Sequence, residues 1–245
     1  SFSLGINGCK NSDLTGNKPL NIIILTLDDM GYKTTGAEGC TVPEITPNID
    51  KFASQGMLIS HGYVVSPICG PSRSALLSGR YPHCNGVMGH GDQPPPLWEE
   101  PDVITPTITK YLKEQGYITG AIFKHSREIN NIWDIKYQEF PMGMGFHDRN
   151  PESFYKRTKA FLSKVSKQEK PFFLYANPID PHRPWVDTEQ ERNLYSSFNP
   201  DNPYPEPSRK YTSEEVEVPD FLPDLPEIRR NLVPYYESLH RGDEC

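Results

Sequence analysis

Residues 20–27, Leu-Asn-Ile-Ile-Ile-Leu-Thr-Leu, make a short apolar run rich in β-branched side chains that ends at Asp28-Asp29. A run of this length bounded by polar residues reads as a strand buried on both faces, which is the habit of strands in parallel sheets. The rest of the chain obeys one grammar. Thr46-Pro47-Asn48-Ile49-Asp50 offers an N-cap with proline at the first helical position, and Gly56 supplies a stop. Met57 to Ser66 reads as a strand and Pro71 to Ser78 as a helix closed by Gly79, with Cys69-Gly70 at the turn between them. Thr105-Pro106 opens a helix to Gln115, Tyr117 to Phe123 reads as a strand, Asn150-Pro151 opens another helix, and Phe172 to Ala176 is the fourth strand. Alternating helices and strands predict an α/β fold, a parallel sheet with helices on its faces.

Composition sharpens this. Proline and glycine, 25 and 18 of 245 residues, exceed the roughly 12% that average usage gives. The segments 84–104, 125–150 and 178–225, which carry Pro94-Pro95-Pro96 and Pro200, Pro203, Pro205 and Pro207, read as long loops that line a site or meet a partner. With 25 Lys+Arg against 32 Asp+Glu, the net charge of −7 argues against broad binding to nucleic acid or anionic membranes, so an anionic ligand needs a local cationic pocket. No apolar run approaches the ~20 residues of a membrane span. Five cysteines without a C-x-x-C pair suggest neither a zinc site nor a disulfide framework. Ile6-Asn7-Gly8-Cys9 looks like the end of an export signal with Cys9 as a lipid anchor, or equally an incidental N-terminal cysteine.

Ligands of open parallel sheets bind beyond the carboxyl ends of the strands. The four strands bring Asp28 and Asp29, Cys69 with Arg73, Lys124 with His125, and Asp180 with His182 to that edge. Adjacent carboxylates suit a hard cation such as Ca²⁺, with Mg²⁺ second, although alone they describe an ordinary strand-end turn. Cys69 just ahead of a helix N-terminus, with Arg73 one turn on, suits capture of a tetrahedral oxyanion; a lone cysteine is otherwise a small buried hydrophobe.

Cys69-Gly70-Pro71-Ser72-Arg73-Ser74-Ala75-Leu76-Leu77-Ser78-Gly79-Arg80 resembles the C-x-P-S-R-x-x-x-L-x-x-G-R signature of the type I sulfatases. Asp28-Asp29, Thr46 to Asp50 and Gly116-Tyr117-Ile118-Thr119-Gly120 are similar to further landmarks of that family, in the same order. Asn85 to His90, Pro171 to Tyr175 with Asp180 to Arg183, and Val218 to Pro223 are similar to its sulfamidase branch. The resemblance implies a three-layer α/β/α sandwich around a mostly parallel sheet, like that of alkaline phosphatase. It further implies hydrolysis of a sulfuric ester or sulfamate on a sulfated glycan or amino sugar. Cys69 would be oxidised to formylglycine by a formylglycine-generating or anaerobic maturating enzyme. Hydrated, it presents a diol: one hydroxyl attacks sulfur, and the other then loses its proton to re-form the aldehyde and release sulfate.

By the same resemblance Asp28 and Asp29, with the residue-69 oxygen, would hold Ca²⁺. Arg73, Lys124 and His182 would be catalytic, with His125 standing one place early in Phe123-Lys124-His125-Ser126 for the usual G-K-x-H. His90, Asp180 and Arg183 are the candidate sugar contacts, in loops that also carry Asp92, Trp98 and Trp185. The family continues beyond a helix such as 226–240 into a strand with further metal ligands. The expectation is therefore that 1–18 is an export-signal remnant or flexible segment and 19–245 the N-terminal part of a catalytic domain, weakly active or inactive alone. The location implied is periplasmic or secreted. The alternatives are a phosphonate or phosphate monoester hydrolase with a similar C-x-P-x-R site, and a glycan-binding module that keeps Cys69 as a thiol.

Overall fold

The computed structural model describes residues 19–89, 106–124, 132–137, 149–198 and 204–245. His90, Asp92, Trp98, His125 and Cys9 lie outside them. Four strands, β1 (Ile22–Leu25), β2 (Ile118–Phe123), β3 (Ile135–Tyr137) and β4 (Phe172–Asn177), form one sheet in the order β1-β4-β2-β3, and every pairing is parallel. The last strand in sequence is thus inserted between the first and second, and the carboxyl ends of all four lie on one edge.

Helices cover both faces. On one, α5 (Pro151–Val165) lays Phe154, Phe161 and Val165 on Ile118, Ile122, Phe172 and Leu174. Gly120 is what lets this helix approach, because a Cβ there would stand 2.1 Å from Phe161 Cε2. On the other face, Leu77 of α2 (Cys69–Ser78) and Leu112 of α4 (Ile108–Glu114) pack with Phe173, Tyr175 and Trp133. The result is the expected α/β/α sandwich with a parallel sheet. The long α7 (Pro226–Asp243) builds a third cluster from Tyr236 and Leu239 with Val42, Ile45 and Tyr211.

Local chemistry sets the helix ends. Asn150 Oδ1 accepts the Ser153 amide to cap α5, and Gly79 closes α2 at φ 66°. At α1 (Pro47–Ala53) the expected Thr46 cap is corrected: the Thr46 hydroxyl donates to Asp50 Oδ1. The carboxylate of Asp243, at the end of α7, takes the Asn48 and Ile49 amides instead, at 2.9 and 2.8 Å. A negative charge at a helix N-terminus serves the same need from a distant part of the chain.

Three sequence expectations change. Residues 57–66 form no strand; Met57 and Tyr63 are 85% and 89% exposed. Their apolar, β-branched character favours extended chain, but a strand forms only with a ladder partner, and none is present among the described residues. For a related reason β1 is not buried on both faces: Ile23 and Leu25 are exposed, and among the described residues its free edge pairs with nothing. Third, the loop segments 84–104, 125–150 and 178–225 contain the end of the short α3 (Pro82–Asn85), β3, and α6 (Glu189–Phe198) respectively.

Candidate active site

Three strand ends and one helix build the site. After β1 the chain turns at Asp28, which is buried, and at Asp29, which is exposed and held at φ 62°. At the end of β2, Phe123 takes φ 58°, an uncommon conformation for a bulky side chain, and Lys124 follows directly. These two left-handed residues turn the chain out of the sheet where the charged groups are needed. Helix α2 begins at Cys69, so the cysteine is the first helical residue rather than part of a turn. It is half-buried, carries no disulfide, and stands where the first amides of a helix lack intrahelical acceptors.

Asp28 is the electrostatic centre. Lys124 Nζ donates to its Oδ2, and Arg73 Nη2 donates to Oδ1 at 3.3 Å. Burial opposes ionisation of this carboxyl, but Lys124 and Arg73 outweigh it and hold its pKa below the usual carboxylate range. For Arg73, burial is likewise overcome by Tyr175 and Asp28, so its proton is held more tightly than usual. One carboxylate between two cations leaves a positive charge in excess at the buried centre. At the rim, His182 Nε2 stands 3.8 Å from Asp29 Oδ2, and His182 Nδ1 lies 2.5 Å from the Arg183 carbonyl.

A cavity of about 900 Å³ is lined by Asp28, Asp29, Cys69, Arg73, Arg80 and Tyr175, among others. A smaller cavity of about 610 Å³ lies between residues 41–43 and 214–224. Glu214, Glu217, Asp220 and Asp224 line it, the wrong charge for an anion.

The structure brings together Asp28, Asp29, Cys69, Arg73, Lys124 and His182. Arg73 is turned inward rather than forked toward the cavity: Nη1 donates to Thr26 Oγ1, Tyr175 Oη and the Lys124 carbonyl. Asp180, expected at a sugar hydroxyl, is corrected to a buried structural group. It is fully enclosed, with Arg149 Nη1 and Arg241 Nη2 on Oδ1 and Arg241 Nε on Oδ2. Arg183 is exposed, with its guanidinium 5.5 Å from the centre of the Trp185 ring. Thr26, Tyr175 and Asn177 escape a reading of the sequence because they pass for ordinary strand residues; the one signal is a hydroxyl inside the apolar run 20–27.

Asp28 and Asp29 are hard-oxygen donors of the kind a divalent cation takes, but a Ca²⁺ shell needs about six to eight oxygens. Among the described residues no cluster of three or more His, Cys, Asp or Glu could hold a metal ion, and both oxygens of Asp28 are engaged by cations. The donor set fits in kind and falls short in number.

The chain is thus a parallel α/β sandwich with a helix-borne thiol and two cations at the carboxyl edge of its sheet. The chain belongs to the Sulfatase family, which it matches over residues 20–245. It is 27% identical to N-acetylgalactosamine-6-sulfatase of Canis lupus familiaris over 224 residues, covering 71% of this chain and 43% of the relative. To the N-sulphoglucosamine sulphohydrolase of Homo sapiens it is 27% identical over 240 residues, covering 93% of this chain and 45% of the relative. It therefore spans less than half the length of these relatives. The fold is shared with a solved structure in complex with its substrate D-glucosamine-2-N,6-O-disulfate, at a TM-score of 0.56 and 23% identity, over 78% of this chain and 40% of that one. Among the described residues, no helix is long and apolar enough to cross a membrane.

Proposed function

We propose that the protein carrying this chain hydrolyses a sulfate ester or sulfamate on a glycan or amino sugar, with residue 69 acting as formylglycine. The observation that carries the reading is that Arg73 and Lys124 meet on the buried carboxylate of Asp28, while Asp28, Arg73 and Cys69 line one cavity. As formylglycine, residue 69 would supply a diol, one oxygen to attack sulfur and the other to expel sulfate when the aldehyde re-forms.

The chain's own residues do the rest by charge. Lys124, whose side chain is 14% exposed beside Asp28, would meet the sulfuryl oxygens, where negative charge gathers in the transition state. Arg73 keeps Asp28 ionised from beneath, and Asp28 in turn orients Lys124. His182, beside Asp29, would return a proton to the leaving sugar oxygen. Asp28 and Asp29 would contribute carboxylate oxygens to a Ca²⁺ or Mg²⁺ ion, whose service would be to neutralise charge on the sulfuryl group; among the described residues no cluster of three or more His, Cys, Asp or Glu completes its shell. Arg183 with Trp185 offers an exposed cation and an aromatic face for a sulfated sugar. Action in the periplasm or outside the cell belongs to the same reading.

The test is sulfate release by the complete protein, co-expressed with a formylglycine-generating enzyme, from N-sulfated glucosamine, 6-O-sulfated N-acetylhexosamine and an aryl sulfate, with an aryl phosphonate beside them. Release from at least one sulfated compound, absent in Cys69→Ala, is expected. Turnover of the phosphonate alone would assign the site to phosphonate esters, and equal turnover by Cys69→Ala would remove residue 69 from the chemistry.

A further inference from the structure

Beneath the site, four groups close a ring of hydrogen bonds. Arg73 Nη1 donates to the Lys124 carbonyl at 3.1 Å, and the Lys124 amide donates to the Asn177 carbonyl at 3.1 Å. Asn177 Oδ1 accepts the Thr26 hydroxyl at 2.5 Å, and Thr26 Oγ1 accepts Arg73 Nη1 at 3.0 Å. The ring joins the residue after β1, the last residue of β4, the residue after β2 and the second turn of α2. It therefore ties all three strand ends of the site to the guanidinium.

Two features mark this ring as more than packing. A guanidinium nitrogen has two hydrogens, and Nη1 of Arg73 faces three acceptors, Thr26, Tyr175 and Lys124, so its orientation is over-determined. Asn177, fully buried, accepts from Thr26 while its own Nδ2 has no hydrogen-bond partner among the described residues. An unpaired buried donor lowers stability. The chain keeps the amide despite that cost, which is expected where the acceptor serves another purpose.

We infer that Thr26 and Asn177 are positioning residues: they hold the Arg73 guanidinium so that Nη2 stays on Asp28 and Lys124 keeps its aim at the bound anion. The inference rests on the sulfatase reading for its effect on catalysis, but not for its effect on Arg73. Thr26→Val keeps the shape and removes the hydroxyl; Thr26→Ser keeps the hydroxyl. Asn177→Leu removes both the acceptor and the unpaired donor, so a purely structural role and a positioning role separate: stability holds or rises while activity falls.

The experiment compares the complete, matured wild-type protein with the three variants by thermal melting, by kcat and KM on the sulfated compound that the wild type turns over best, and by the slowly exchanging ¹H–¹⁵N signals of the Arg73 guanidinium. Thr26→Val and Asn177→Leu should broaden or lose those signals and lower kcat roughly ten- to hundredfold, because small misplacements near a reacting group cost that much. KM should change little, Thr26→Ser should restore both readouts, and Asn177→Leu should melt no lower than wild type. Unaltered guanidinium signals in Thr26→Val and Asn177→Leu, or equal loss in Thr26→Ser and Thr26→Val, would overturn the inference. If wild type releases no sulfate, the functional reading fails, and the guanidinium signals still decide whether the ring holds Arg73.

Discussion

Two buried carboxylates in this protein are each flanked by two cations, and they lead different lives. Asp28 sits between Arg73 and Lys124 at the floor of the cavity, with the Lys124 side chain 14% exposed. Asp180 sits between Arg149 and Arg241, both about 1% exposed, with Glu191 on Arg241 and the Tyr204 ring against both guanidinium groups. The charges are alike; access differs. The sealed cluster ties α7 to the loop after β4, whose Asp180 carbonyl accepts the Asp28 amide and whose His182 carbonyl accepts Arg149. One cluster is free to meet a ligand, and the other holds the wall that the first stands against.

Breaking the sealed cluster should have the largest effect on folding. Arg241→Ala leaves Asp180 and Glu191 short of a partner in a buried site, and such losses cost about 3–5 kcal/mol. Urea unfolding should show that drop as a lower midpoint with an unchanged slope. Breaking the open cluster should act mainly on chemistry. Lys124→Met should lower kcat of the complete, matured protein by ~10²–10³, the size of a lost transition-state donor, with a smaller loss of stability than Arg241→Ala because Arg73 still pairs with Asp28. Equal stability losses from the two variants would erase the distinction.

Acid supplies the gentlest test. The Asp28 pKa is lowered in the folded protein, so its contribution to stability is present above the ordinary aspartate value, near about 3.9, and is lost as pH falls through the folded value. Thermal melting of wild type should therefore fall more steeply below pH ~4 than that of Asp28→Asn, which has no such carboxyl to protonate.

The distinction also explains what the sequence made legible. Asp28, Cys69 and Lys124 stand near strand ends or at a helix start, with Arg73 one turn into that helix, where local pattern reveals them, and three of the four expected strands exist with small shifts of boundary. Residues 57–66 have strand character without a ladder partner among the described residues, which no local pattern reports. Asp180 reads as a ligand-holding carboxylate because its two arginines lie 31 and 61 residues away, and only the fold brings them in. Thr26 and Asn177 are hidden differently: each is an acceptable strand residue, and its meaning lies in a ring assembled from four separate segments. Asp243 capping α1 from 195 residues away belongs to the same group.

The most direct test of the nucleophile's identity is the mass of the tryptic peptide Phe52–Arg73 after expression with a formylglycine-generating enzyme. Residue 69 as the aldehyde or its hydrate is the predicted result; a quantitatively unmodified thiol would contradict the assignment of Cys69 as the precursor of the nucleophile.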